Sequence, residues 1–444
     1  MGLGNAAEFL RGYWTTAGRV AATNFLALMA AAAVGQVCGL ATVVLLTKFL
    51  GAQQFGVYMS AVSLQFYLAP LGSGGLAALV VREIARQPND SARLASAYYA
   101  ITLFLSVVVA VLLACFAWIR DIDGGECWLL VFVGIGNVGT CASASPFLDL
   151  HHRQRRAALI GGIIEVVALL LLVVLIRTSQ LSLGTAGALL AIKYCLLSAT
   201  TAIVASRGGD LSWGRFSWRD VATLFRGAPS MVLASLAATI PITSGTFWVR
   251  EFHGDAAAGV MGLGAIFLNL IGLFAVQMQR ILLPHMVGEH GRDRVFVRRL
   301  VLAYGAFLTA LGFGALVGVW GFSRFVLSNE YASLATLGSW LILGGLGLAA
   351  CWLATGYLIV LRRESLVLYA QVLAAAVFSG LAWWLTPKQG VMGITWAVAG
   401  AAISLAIVAV GGLRRVWGDS SEPQRVQTAT KNSGSPVQGD AMTA

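Results

Sequence analysis

Charged side chains inside long apolar runs are the residues of this sequence that could do chemistry. Glu165 and Lys193 lie well inside two such runs, Arg280 lies near the end of another, and Arg82 closes a fourth. An ionisable group at the centre of a membrane costs about 2.5–3.5 kcal/mol or more, so such residues are functional candidates. Ammonium and guanidinium groups are good partners for phosphate oxygens. Lys193, Arg280 and Arg82 are therefore candidates for a cationic cavity.

Two further cations close apolar runs on the opposite side from Arg82. Lys48 and Arg250 are candidates for the same cavity, with the alternative that they anchor the ends of their spans at the membrane interface. The same alternative applies to Arg82. From one turn inside its span, the long side chain of Arg280 could also extend to the interface.

Glu165 and Lys193 are predicted to lie at similar depths on neighbouring, oppositely directed spans. Counted from one side of the membrane they are about eight and twelve residues deep, which is roughly 12 and 18 Å in a helix. A structural ion pair is therefore feasible. The alternative is a working site in which Glu165 takes up a proton or Na⁺ while Lys193 holds an anion.

Catalytic, metal-binding and nucleic-acid-binding functions find little support in the sequence. The six cysteines show no CxxC or Cys/His ligand spacing, and none of the five histidines has a carboxylate at metal-ligand spacing. The formal charge is +11, but the basic residues occur in short clusters rather than along one face. We predict no catalytic residues, no metal, no cofactor and no nucleic-acid partner.

The composition requires a membrane to surround the chain. It is 58% hydrophobic and 11% charged, with a mean hydropathy of +0.80, whereas soluble domains carry about 25% charged residues. A span needs about 20 apolar residues, and such runs recur along the chain. The twelve predicted spans are 25–46, 56–80, 95–118, 128–148, 157–176, 184–205, 228–249, 258–283, 300–323, 335–361, 365–385 and 390–412.

The connections between these spans differ in positive charge. Twenty Lys and Arg residues fall on the side of the termini, against six on the other side. Cytoplasmic loops carry the excess of Lys and Arg, so both termini are predicted to be cytoplasmic.

Two halves of the chain share short patterns at a near-constant spacing. FLGAQQFGV at 49–57 returns as FHGDAAAGV at 252–260, and GTAG at 184–187 has a counterpart in GVMG at 390–393. These offsets of 203 and 206 residues indicate a duplicated six-span unit. Because six is even, the two halves point the same way across the membrane.

The fold class predicted is an all-α integral membrane protein with twelve transmembrane helices in two six-helix lobes. The expected domains are a cytoplasmic N-terminal segment 1–24, a first lobe 25–205, a cytoplasmic linker 206–227, a second lobe 228–412 and a disordered tail 413–444. The tail is polar and cannot bury enough apolar area to fold alone.

Three stretches resemble the polysaccharide (O-antigen-type) flippases of the multidrug/oligosaccharidyl-lipid/polysaccharide exporter superfamily. TKFLGAQQFGVYMSAVSLQFYLAPLGSGGLAALVVREIAR at 47–86 is similar to the family's first hairpin. SNEYASLATLGSWLILGG at 328–345 is similar to the Gly-x-Glu-Tyr-Ala segment, with Asn329 in place of the usual glycine, and KQGVMGITWAVAGAAIS at 388–404 to the last helix. The resemblance implies two lobes around a central cavity and transport of a polyprenyl-pyrophosphate-linked glycan to the outer leaflet.

Under this resemblance the cationic cavity would hold the pyrophosphate, and membrane lipids, a glycan polymerase and glycosyltransferases would be the partners. Three alternatives remain: a drug or cation exporter of the same superfamily, a membrane glycan polymerase or ligase, and a non-transporting scaffold. The polymerase or ligase is disfavoured because no outer connection exceeds about a dozen residues. Neither the glycan nor the coupling ion follows from the sequence.

Overall fold

The computed structural model describes residues 16–73, 75–119, 122, 124–150, 153–287, 294–326, 331, 333–360 and 363–419. Within these ranges the chain is built from α-helices joined by short connections and one 3₁₀ turn. The helices are α1 (Thr16–Ser73), α2 (Leu76–Arg86), α3 (Ser91–Ile119), α4 (Gly124–Cys141), α5 (Ser145–Leu150), α6 (Gln154–Arg177), α7 (Leu183–Arg207), α8 (Trp218–Thr243), α9 (Gly245–Val287), α10 (Arg294–Phe325), α11 (Leu334–Val360), α12 (Glu364–Gln389) and α13 (Val391–Asp419).

Two glycines turn the chain in equivalent places. Gly51 inside α1 has φ 75° and ψ 167°, and Gly254 inside α9 has φ 81° and ψ −178°. Both lie in a region that glycine enters readily and other residues avoid. They are the first glycines of the two matching sequence patterns, so the same backbone bend occurs twice, as a duplicated unit requires.

The bends explain how the helices provide twelve crossings. In the described part of the chain, ten stretches are long and apolar enough to span a membrane. Two of them, Ala33–Ser73 with 41 residues and Pro229–Val276 with 48, contain the bends and hold two crossings each. The chain is thus a multi-pass membrane protein with the predicted all-α, two-lobed fold.

Three predicted spans are interrupted. The span 128–148 is divided between α4 and α5, because Pro146 lacks a backbone N–H and sits in the first turn of the new helix. The span 56–80 stops at Ser73, and Gly75 with φ 63° precedes α2. The span 228–249 is divided between α8 and α9 at Ser244.

Apolar side chains are distributed as a lipid environment requires. Some of the large ones point outward, such as Phe104, Leu112 and Leu170, which are 67%, 63% and 60% exposed. One buried cluster lies among α2, α3, α5 and the start of α8, and a second lies within the second lobe. The bends at Gly51 and Gly254 divide α1 and α9 into a first and a second limb each. A third buried cluster extends across both lobes through the second limbs, where Phe55 and Phe267 are both buried.

The predicted linker 206–227 is folded onto the first lobe. Arg153 forms an ion pair with Asp210 (Nη1–Oδ2 2.8 Å), and Arg93 forms one with Asp220 (Nη2–Oδ1 2.8 Å). Leu211 between them is 3% exposed. The segment is therefore a packed connection, and its last part, from Trp218, already forms the first turns of α8.

The outer boundaries of the helical region also differ from the expected edges. Helix α1 begins at Thr16, within the expected N-terminal segment 1–24. Helix α13 continues to Asp419 because Leu413 still packs against the core, so residues 413–419 of the expected tail are helical. The rest of the tail lies outside the described residues, and the lobe boundaries at 25–205 and 228–412 stay a prediction.

Candidate substrate-binding site

Helices α6 and α7 bring Glu165 and Lys193 into contact. Glu165 lies twelve residues before Arg177 at the end of α6, and Lys193 lies ten residues after Leu183 at the start of α7. The two helices are joined by a short turn, and Ser182 caps α7. At 1.5 Å per residue both side chains reach similar depths, and Lys193 Nζ lies 2.6 Å from Glu165 Oε1.

This ion pair lines a cavity of about 270 Å³. The Lys193 and Glu165 side chains keep 21% and 24% of their surface exposed, so each is neither fully buried nor solvated. The first limb of α1 forms one wall through Gly35 and Gly39, whose missing side chains leave the wall open beside the carboxylate. A Cβ at Gly35 would lie 3.7 Å from Glu165 Cγ.

Two tyrosines border the ion pair. The Lys193 ammonium lies 5.2 Å from the ring centroid of Tyr194, within the range of a cation–π contact. Tyr58, on the second limb of α1, lines the same cavity and is buried. The ammonium therefore has an aromatic face and a carboxylate beside it.

The second lobe contributes the remaining wall. Thr243 of α8 and Asn269 of α9 line the cavity, so it lies between the lobes. Ser63 of α1 lines it as well and donates a hydrogen bond to Thr246 Oγ1 across the lobe boundary (3.2 Å). The buried Thr42 hydroxyl also lines it and has no hydrogen-bond partner among the described residues. A buried hydroxyl of this kind can form a hydrogen bond with a bound ligand.

The other predicted site residues lie elsewhere or outside the described side chains. Lys48 is exposed near the end of the first limb of α1, and neither Lys48 nor Arg250 is among the residues that line the cavity. Arg82 and Arg280 lie on described helices, α2 and α9, but their side chains are outside the described part of the chain. Their assignment to the cavity stays a prediction.

Arg250 instead joins the two lobes at the predicted outer end. Its Nη1 lies 2.8 Å from Glu126 Oε1 of the first lobe, and its Nε lies 2.7 Å from Asp255 Oδ1. The second limbs of α1 and α9 cross beside this network. A Cβ built at Gly56 would lie 1.7 Å from the Asp255 carbonyl oxygen, so only glycine permits this approach.

Sequence reasoning missed the uncharged residues of the cavity. Gly35 and Gly39 are four residues apart, a small-residue spacing that indicates close approach on a helix and could have been recognised. Tyr58, Tyr194 and Asn269 carry no comparable signal, because an aromatic or amide side chain in an apolar run is equally compatible with packing.

Comparison with known protein families shows which family the chain belongs to. The profile of the family described as "Polysaccharide biosynthesis protein" matches residues 21–289, which include the ion pair and the first two predicted spans of the second lobe. The chain belongs to this family. A comparison with curated protein sequences gives no match.

Solved structures of transporters share the fold. A lipid II flippase, MurJ, in an inward closed conformation has a TM-score of 0.67 and 14% identity, over 87% of both chains. An inward-facing multidrug resistance MATE family transporter of the MOP superfamily has a TM-score of 0.66 and 13% identity, over 89% of this chain and all of that one. A Vibrio cholerae MATE transporter has 0.63 and 16%, over 90% and 99%. At these identities the likeness shows that this polysaccharide biosynthesis family member shares the fold of these transporters.

Proposed function

We propose that this protein flips a polyprenyl-pyrophosphate-linked glycan from the cytoplasmic to the outer leaflet by alternating access of its two lobes. The observation that carries the proposal is the ammonium of Lys193 in a cavity between the lobes, in a member of a polysaccharide biosynthesis family. A structural neighbour, MurJ, is a lipid II flippase, which fits the same class of cargo. The family and fold also favour a transporter over an enzyme.

The pyrophosphate would bind the Lys193 ammonium while the lipid tail stays in the bilayer. An ammonium has three N–H donors, and the contact with Glu165 Oε1 at 2.6 Å uses one of them. A phosphate oxygen can therefore bind beside Glu165 without displacing it. Arg280 and Arg82 are further candidates for the pyrophosphate, as predicted from the sequence.

Ion coupling would follow from the net charge of the cavity. The ionised pair is neutral, whereas a proton or Na⁺ on Glu165 leaves the cavity with one net positive charge. The anionic head group would then bind more strongly, so ion and substrate would each favour the other. We expect Glu165→Gln to remove the pH dependence of transport, and an unchanged pH profile would reject the coupling.

The proposal is tested by locating the lipid-linked glycan in cells without the gene. We expect it to accumulate in the cytoplasmic leaflet, where an impermeant probe added outside does not reach it. Lys193→Ala should reproduce the defect and reduce flipping about tenfold or more, because a hydrogen bond to a charged group contributes about 1.5–3 kcal/mol. Arg280→Ala is expected to act in the same direction.

Lys388→Ala is the matched control. Lys388 lies at the end of α12, where its ammonium is 4.5 Å from the Trp384 ring centroid, and it does not line the cavity between the lobes. Its loss removes one positive charge and should leave flipping unchanged. Accumulation in the outer leaflet would reject the flippase and favour a polymerase or ligase.

A drug or cation exporter of the same superfamily is the second candidate, favoured by the acid Glu165 within the cavity. It predicts normal lipid-linked glycan in cells without the gene and increased sensitivity to cationic drugs. We infer cytoplasmic termini from the charge distribution and a bacterial inner membrane from the resemblance to the O-antigen-type flippases. Glycosyltransferases and a polymerase of the same pathway are the expected partners.

A further inference from the structure

A second cavity lies in the second lobe and has different chemistry. Its volume is about 430 Å³, within the range of about 300–1,000 Å³ of small-molecule sites. It lies among α8, α11 and α12, and none of the described residues that line it is charged. Its polar and aromatic lining consists of Ser230, Ser235, Thr355, Ser365, Gln371 and Trp352.

The duplication relates this cavity to the one lined by Glu165 and Lys193, which is called the Lys193 site below. Ala238 lies 203 positions after Gly35, and Gln371 lies 206 positions after Glu165, which are the two offsets of the repeat; each of these four residues lines one of the two cavities. The repeat therefore placed a cavity against the same two helices in each lobe. The first copy holds an ion pair, whereas the second has the amide of Gln371 at the position of the acid.

The second cavity lies towards the predicted cytoplasmic side. Ser365 lies in the first turn of α12, and Thr355 lies near the end of α11, so both are close to the connection between these helices. Met231 of the lining also approaches Gly75 of the first lobe, where a Cβ would lie 2.9 Å from the Met231 Cβ. The cavity thus reaches the boundary between the lobes.

Its lining suits an uncharged sugar. Hydroxyl and amide groups both donate and accept hydrogen bonds, as sugar hydroxyls require, and the apolar face of a pyranose ring packs on an aromatic side chain such as Trp352. A phosphate would lack a cation here. We propose that this cavity binds a neutral sugar residue of the lipid-linked glycan while the Lys193 site binds its pyrophosphate, an assignment that rests on the proposed function.

The test compares two lipids on the purified full-length protein in detergent. One is undecaprenyl pyrophosphate, and the other is the same lipid carrying one neutral N-acetylhexosamine; dissociation constants are measured for both. Two neutral hydrogen bonds change a dissociation constant by about tenfold, so we expect the glycosylated lipid to bind about tenfold more tightly. The double variant Ser235→Val/Gln371→Leu should bring this ratio to about one.

Two further variants make the result specific. Thr309→Val removes an exposed hydroxyl of α10 outside both cavities and should keep the wild-type ratio. Ser235→Val alone should lower the ratio in part, and it keeps the test valid if the double variant does not fold. Equal binding of the two lipids by the wild type, or a wild-type ratio in the folded variants, would overturn the sugar site.

Failure of the sugar site is distinguishable from failure of the proposed function. If Lys193→Ala weakens the binding of both lipids but no preference for the sugar exists, the flippase proposal survives and the sugar site does not. If the wild type binds neither lipid, both proposals are rejected together.

Discussion

At the scale of single residues, the central question is whether the ion pair of Glu165 and Lys193 holds the fold together or does work. The 2.6 Å contact satisfies both interpretations, because in either role each charge needs the other as its partner inside the membrane. Its position in a cavity between the lobes favours a working site. Stability and transport must therefore be measured on the same variants.

The double variant Glu165→Gln/Lys193→Met separates the two roles. Either single change leaves one charge without its partner and should destabilise the protein by roughly 1–3 kcal/mol, whereas the double change removes both charges and should recover most of that loss. We expect transport to stay low in the double variant, because the pyrophosphate loses the ammonium of Lys193. Thermal unfolding in detergent and flipping in vesicles measure the two quantities.

Recovery of transport together with stability would mean that the pair is structural. The structure shows this contact. The sequence indicated that it was feasible, since the depth of each residue can be counted along its helix. It did not predict Asn269 or Tyr58 beside the pair, because their positions depend on how the second lobe and the second limb of α1 pack against the first helices.

At the scale of elements, the start of α8 is held to the first lobe by one carboxylate. Asp220 accepts hydrogen bonds from the backbone N–H and the hydroxyl of Ser217, which closes a capping box, and it accepts another from Arg93 of α3. The Arg93 guanidinium holds the pKa of Asp220 below its usual range, and the hydrogen bonds from Ser217 act in the same direction. The connection between the lobes is thus anchored in its ionised form.

This shift predicts a pH-dependent stability. Because the pKa of Asp220 is lower in the folded protein, its contribution is present above the pKa of a free carboxyl, about 3.9, and is lost as the pH falls through the folded value. We expect Asp220→Asn to lower the melting temperature at pH 7 by a few degrees. The difference from the wild type should shrink as the pH falls below about 4.

Asp90→Asn is the control for this prediction. Asp90 contacts the same guanidinium (Arg93 Nη1–Oδ1 3.2 Å), but its side chain is 35% exposed, compared with 8% for Asp220. Exposed ion pairs contribute about 0–1 kcal/mol, so this variant should melt close to the wild type. Equal losses in both variants, or a difference that does not depend on pH, would contradict the role given to Asp220.

At the scale of the whole molecule, the repeat was the strongest sequence signal. Gly51 and Gly254 each allow a bend that few other residues adopt. The repeated pattern therefore reflects a local backbone requirement, which can be recognised from each short segment alone. The ion pair between the lobes could not be predicted from a single segment. Glu126 and Arg250 belong to different lobes, and nothing in either segment specifies the other as its partner.

The close approach of α1 and α9 at Gly56, at the predicted outer end, allows a direct test of alternating access. A side chain at Gly56 would collide with backbone atoms of Asp255 and Gly259, so Gly56→Leu should separate the lobes at this end. Because such a clash exceeds about 1.4 kcal/mol, we expect the closed arrangement to lose about tenfold or more in population. Spin labels on the outer turns, at Ser179 and Lys388 of a cysteine-free variant, should report longer distances.

Gly318→Leu is the matched control, because a Cβ at Gly318 of α10 meets no atom within 4 Å. It introduces the same side chain and should leave both the distances and flipping unchanged. Glu126→Gln weakens only the ion pair with Arg250, so it should give a smaller shift in the same direction and replaces Gly56→Leu if that variant does not fold. If neither variant lengthens the distances, the outer contact is a permanent joint between the lobes, and access to the Lys193 site must alternate by another movement.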